Sequence, residues 1–167
     1  MKKHKDFWKI TEDSLDKSIK VHKIDNSLRD ELLDLYKVLK PFSEVERTLK
    51  TLKKSNYKLA ILSNGTPSLL NKLVNSNSLE NIFDDIFSVE DVGIYKPDSK
   101  VYDIPINKYK IQKNEVVFLS ANTWDVSGAG NYGYQSIWVN RSNNIFDKLD
   151  FTPKHEVSNL SELLDLI

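Results

Sequence analysis

Two short stretches of this 167-residue sequence place hydroxyl, amide and carboxylate side chains where they could hold a small anion. Ser63-Asn64-Gly65 follows the run Lys58-Leu59-Ala60-Ile61-Leu62. Ser120-Ala121-Asn122-Thr123-Trp124-Asp125 follows Glu115-Val116-Val117-Phe118-Leu119. Each leads into a helical pattern, whose first free N–H groups and positive dipole end favour an anion. A third stretch, Tyr95-Lys96-Pro97-Asp98, carries a lysine held extended by the proline after it. Such a lysine is a point charge for a carboxylate or phosphate. Tyr102 lies a short way beyond it, on the next helical pattern. All these residues also have a plain structural role open to them. Ser63 and Asn64 suit a turn and cap, Asp125 an N-cap, Lys96 a solvated loop, Trp124 a core anchor, and Tyr102 either core or surface. Spacing alone reaches a small-anion site and goes no further. No histidine neighbours either turn, so a Ser/His/Asp arrangement is not supported.

The elements that must position these residues alternate. Before residue 57 the chain reads as helices. Leu28, Leu32, Leu35, Tyr36 and Leu39 recur at helical spacing after Ser27, a good N-cap. Trp8, Leu15 and Ile19 suggest a shorter, weaker helix ahead of it. Pro41 marks a break, and Ser43-Glu44-Val45-Glu46 reads as a capping box that opens a helix with Val45, Leu49 and Leu52 inward. From Tyr57 the texture becomes strand, tight turn, helix: Leu59–Leu62, then Thr66-Pro67 as N-cap and N1, then Leu69, Leu70, Leu73 and Val74. The unit recurs at Val116–Leu119, with Asp125 as the cap and Gly133 as the stop. Further strands are expected near Ile86–Val89 and Gln135–Val139. Apolar strands alternating with helices imply an α/β fold with a parallel sheet covered on both faces. The layout is a helical front piece, residues 1–41, and an α/β core, residues 42–167.

Composition narrows the function. Lys and Arg number 24, as do Asp and Glu, so the formal net charge is zero. That argues against a nucleic-acid module, which needs a basic surface. Cysteine is absent, which excludes disulfides, Cys-ligated zinc and a thiol nucleophile. His4, His22 and His155 are far apart, with no metal-ligand spacing. No apolar run approaches the ~20 residues of a membrane span, and no apolar segment follows the basic start. The expected location is the cytoplasm.

Taken together, three segments are specific. Leu59–Pro67, Val92-Gly93-Ile94-Tyr95-Lys96-Pro97-Asp98 with Val101-Tyr102, and Phe118–Val126 with Gly128-Ala129 resemble the L-2-haloacid dehalogenases of the haloacid dehalogenase (HAD) superfamily. Trp138-Val139-Asn140-Arg141, Glu156-Val157, Asp6-Phe7-Trp8 and Pro41-Phe42 are similar to that family too. The resemblance covers nearly the whole chain. It implies a HAD-like Rossmannoid parallel sheet behind a partial helical cap, and hydrolysis of (S)-2-haloalkanoates to 2-hydroxy acids and halide through an aspartyl ester. Ser63 and Asn64 would hold the substrate carboxylate, and Asn64 with Trp124 would cradle the halide. Lys96 would steer the nucleophile, and Ser120, Asn122 and Asp125 would position it and the hydrolytic water, with Asp125 the base. Tyr102 would support the pocket near Lys96. A carboxylate nucleophile needs such a nearby cation to stay ionised. The partners would be a 2-haloacid and halide, with a homodimer possible and no cofactor. No metal is expected, because Ser120–Trp124 holds no carboxylate for Mg²⁺.

The resemblance places the attacking aspartate on a first strand ending Asp-x-Tyr-Gly-Thr, ahead of the segment that Met1 matches. These residues are therefore expected to lack it, together with an arginine of the halide cradle, and to be inactive or nearly so by themselves. The sheet is expected to lack its central first strand, between those ending at Leu62 and Leu119. The isolated chain is then poorly stable, or it closes the gap by rearrangement, swapping or a partner segment. The alternatives are a non-catalytic remnant that associates and a phosphatase of the superfamily. Pro105 and Gly130 stand in helical stretches, and Ala121 stands where the family usually has serine; these departures are open to a reading as drift.

Overall fold

Parallel strands form two sheets in the computed structural model, which describes residues 4–167. The fold is α/β with parallel strands, as the alternation of apolar runs and helices requires. The chain divides into two units: residues up to Phe42 with Leu59–Gly93, and Ser43–Lys58 with Ile94–Ile167.

In the first unit, α1 (Phe7–His22) starts at Asp6, whose carboxylate accepts from the Lys9 N–H at 2.9 Å. It is a 16-residue helix, longer than the sequence suggested, and Ile19 is its buried residue. Asp25, not Ser27, caps the next turn, Asn26–Leu28, which runs on into α2 (Arg29–Leu35). Leu33 is the residue α2 buries; Leu28, Leu35, Tyr36 and Leu39, expected inward, are 42–55% exposed. β1 (Ala60–Ser63) pairs in parallel with β2 (Asp85–Ser88), Leu62 against Phe87 and Ser63 against Ser88. Between them α4 (Pro67–Ser76) opens with Thr66 in the N-cap position and proline at N1, as read from the sequence.

In the second unit, α3 (Val45–Lys54) buries Thr48, Leu49 and Leu52 and packs on the turn Leu160–Asp165. The capping box is not formed. Glu44 holds the N-cap position without capping; its carboxylate accepts from Arg141 at 2.6 Å and from the Leu160 N–H at 3.3 Å. α5 (Ser99–Tyr109) keeps its helical path through Pro105, which is buried in its interior. β3 (Val117–Ser120), β4 (Gln135–Val139) and β5 (His155–Val157) form a three-stranded sheet in that order. α6 (Thr123–Tyr132) joins β3 to β4 and ends at Gly133, in left-handed backbone. Gly130 has a structural reason: the Phe151 ring fills the space its Cβ would take. Among the described residues, no helix is long and apolar enough to cross a membrane.

Candidate functional site

β3 runs into its polar turn at Ser120, and α6 begins two residues further on. Asn122 occupies the N-cap position, so Asp125 is not the cap that the sequence suggested; it sits in the first turn. The residue is 3% exposed, and its side chain turns to two partners instead. Lys96 Nζ donates to Oδ2 at 2.7 Å, and the Tyr102 hydroxyl donates to Oδ1 at 2.9 Å. The Lys96 and Asp125 side chains keep only 9% and 4% of their exposure, so the solvated-loop reading of Lys96 fails. The ammonium also lies 5.5 Å from the centre of the Phe118 ring, a cation–π distance.

Tyr102 is fully buried on α5, against Phe118, Tyr132 and Tyr134. The sequence did not single out Tyr134, whose hydroxyl donates to the Tyr102 carbonyl, nor the pairing of Tyr132 with Asp103. The repeated tyrosines after Gly130 were the available signal. Burial, then the charge of Asp125 and the hydrogen bond to it, push the Tyr102 phenol far above its ordinary value of 10.0. A raised folded value means that the native state favours the neutral phenol. Stability from Tyr102 is thus intact below about pH 10 and falls as pH rises beyond it, where the unfolded phenol ionises first. Tyr102→Phe is expected to lose about 1.5–3 kcal/mol at pH 7, the worth of a hydrogen bond to a charged group. Its stability is also expected to fall less steeply than the parent's above pH 10, in urea unfolding across that range.

Both polar turns share one local geometry. Ser120 Oγ accepts from the Asn122 N–H at 3.2 Å, and Ser63 Oγ accepts from the Gly65 N–H at 3.0 Å. A hydroxyl that accepts in this way keeps its own O–H to donate. Ser88 also donates to the Gly65 carbonyl at 2.7 Å, tying the Ser63-Asn64-Gly65 turn to β2. Trp124 is 38% exposed and so is no core anchor. With Asn122, Thr123, Trp138 and Ile145 it lines a groove of about 650 Å³. The second unit thus brings Lys96, Tyr102 and Asp125 into contact, with Ser120 and Asn122 on the adjoining turn and Trp124 at the start of α6. Ser63 and Asn64 belong to the first unit. Among the described residues, no group of three or more His, Asp or Glu could hold a metal ion.

Parallel strands, polar turns at their carboxyl ends and a buried lysine–aspartate pair define an α/β protein with a charged strand-end site. The family is narrower. A family model for haloacid dehalogenase-like hydrolases matches residues 2–139, and the chain belongs to that family. It is 35% identical over 170 residues to the (S)-2-haloacid dehalogenase 4A of Burkholderia cepacia, covering 100% of this chain and 73% of that protein. A crystal structure of a dehalogenase superposes with a TM-score of 0.95 at 34% identity, covering 98% of this chain and 74% of that one. An L-2-haloacid dehalogenase from Xanthobacter autotrophicus with chloropropionic acid covalently bound superposes with a TM-score of 0.86 at 27% identity, covering 98% and 76%. The resemblance carried by the Ser63, Lys96 and Ser120 segments is therefore a family relationship.

Proposed function

We propose that the chain serves the hydrolysis of 2-haloalkanoates to 2-hydroxy acids and halide. The observation that carries this is the buried Lys96–Asp125 pair, steadied by Tyr102, in a chain whose relatives are (S)-2-haloacid dehalogenases. In this reading a carboxylate oxygen attacks C2 of the substrate. The C–halogen bond breaks, and the halide leaves with its electron pair. Water then cleaves the ester at its carbonyl carbon, returning the carboxylate and freeing the 2-hydroxy acid. The covalent chloropropionate of the Xanthobacter autotrophicus protein supports such an ester.

Ser63 and Asn64 hold the substrate carboxylate by hydroxyl and amide donors. Trp124 supplies an aromatic wall for the leaving halide. Lys96 steers and orients the attacking carboxylate, and Ser120 and Asn122 position it. Asp125 takes the proton of the hydrolytic water; a carboxylate that accepts from Lys96 and Tyr102 keeps further lone pairs for that purpose. The Ser120–Trp124 stretch holds no carboxylate that could share a Mg²⁺ ion with Asp125, which speaks against the phosphatase alternative. The helical front, residues 1–41, serves as a cap, and the cytoplasm is the proposed location.

None of the aspartates in these 167 residues has the attacking place in this reading. The 167-residue polypeptide by itself is therefore expected to release little or no chloride from (S)-2-chloropropionate, while the product 2-hydroxypropionate still shifts the amide resonances of Ser63 and Asn64. Turnover at an enzyme's rate would place the nucleophile among these residues, and unmoved resonances would end the pocket assignment. A second reading, an associating protein without catalysis, is favoured by Leu35, Val38 and Leu39 of the helical front and Phe42 just after it, all 54–60% exposed. A homodimer in sedimentation, with no binding of the hydroxy acid, would select it.

A further inference from the structure

Gly128 stands three residues after Asp125 on α6, so the two share a helix face. A Cβ built on Gly128 would lie 2.5 Å from Pro97 Cβ and 2.8 Å from the Tyr102 hydroxyl oxygen, closer than side chains approach one another. Neither neighbour gives way easily. The Pro97 Cβ belongs to a ring closed onto the backbone. The Tyr102 oxygen lies on its ring axis, so a ring flip leaves it in place. The side chain itself is fully buried, with Phe118, Tyr132 and Tyr134 ring centres at 5.7, 5.6 and 6.0 Å. These neighbours matter for what they hold: Pro97 follows Lys96 directly, and Tyr102 donates to Asp125 Oδ1.

We propose that Gly128 is a positioning residue: the space of its missing side chain is where Pro97 and Tyr102 close on α6, and this closure sets the Lys96–Asp125–Tyr102 contacts. The inference rests on the reading of Lys96 and Asp125 as the charged pair of the dehalogenase site. Helix propensity argues the other way, because alanine is favoured over glycine inside a helix. The two accounts therefore predict opposite outcomes at this position.

The test is acylation of lysines by acetic anhydride in the full chain, read peptide by peptide by mass spectrometry. In Gly128→Ala, Lys96 is expected to react about tenfold faster as its pairing opens locally, while the exposed Lys50 reacts as before. A folded Gly128→Ala protein with Lys96 as protected as in the parent would overturn the proposal. Should Gly128→Ala fail to fold, its combination with Pro97→Gly and Tyr102→Phe decides, read beside the Pro97→Gly, Tyr102→Phe protein that keeps Gly128, since those two changes remove both atoms the new Cβ would meet. Recovery of a cooperative melt supports the proposal, and continued absence of one overturns it. Labelling reports on the pair whether or not chloride is released. Loss of the dehalogenase reading would thus show in the hydroxy-acid measurement alone.

Discussion

Lys96→Met is expected to lower folding stability by about 3–5 kcal/mol. The side chains of Lys96 and Asp125 are 9% and 4% exposed and meet at 2.7 Å. Removing the ammonium leaves a carboxylate in the interior with the Tyr102 hydroxyl still donating to it. A single neutral donor does not replace a charge, and the cost is that of an uncompensated buried ion. The pair itself need not be a net stabiliser, because both charges lose water on burial. Lys96→Met combined with Asp125→Leu is therefore expected to recover most of the loss, since no charge is then stranded. Urea unfolding of the parent, both single variants and the double variant at pH 7 measures this directly. A Lys96→Met protein within about 1 kcal/mol of the parent would mean that the pair behaves as a surface ion pair.

The second large effect is expected at Trp138. It is 3% exposed on β4, opposite Ser120 in the parallel register, with Phe146 edge-on at 5.1 Å. Its indole N–H donates to the Ala121 carbonyl at 3.1 Å, inside the turn that carries Ser120 and Asn122. Trp138→Ala opens a core cavity and is expected to cost about 3–5 kcal/mol. Trp138→Phe keeps most of the ring volume and loses the donor. It is expected to cost about 1 kcal/mol and to shift the amide resonances of Ala121 and Asn122. Those shifts separate the packing of β4 from its hold on the turn. Unchanged turn resonances in Trp138→Phe would show that the indole hydrogen bond does not shape the site.

Much of the α/β core was legible because its signals are local. Apolar runs ending in Ser-Asn-Gly and Ser-Ala-Asn predict strand followed by helix, and β1 with α4 and β3 with α6 lie there, while β4 lies on the separate Gln135–Val139 run. β5 was not legible: His155-Glu156-Val157 is short and carries no alternation. It becomes a strand through its parallel pairing with Ile137–Val139. The capping box at Ser43–Glu46 failed for a related reason. Glu44 takes the N-cap position in place of Ser43, with its carboxylate on Arg141 and Leu160, 97 and 116 residues away in sequence, and Glu46, the other partner of the box, pairs with Lys50. The leucine pattern near Leu28–Leu39 gave a helix, but periodicity does not say which apolar face finds a neighbour. Leu33 did, and Leu35 and Leu39 stand exposed. Gly130, open to a reading as drift, fits the Phe151 ring.

The sequence by itself determined the strand-and-helix alternation, the two serine turns at strand ends, and the family those turns belong to. All of these follow from neighbours a few residues apart. Tertiary structure decided which groups answer one another. Lys96 meets Asp125 across 29 residues, and Tyr102 meets it from a different helix. A charge in the interior must be matched, but no local pattern states by which side chain. Only the packing of α5 and β3 against α6 brings that ammonium and that hydroxyl within hydrogen-bonding distance of one carboxylate.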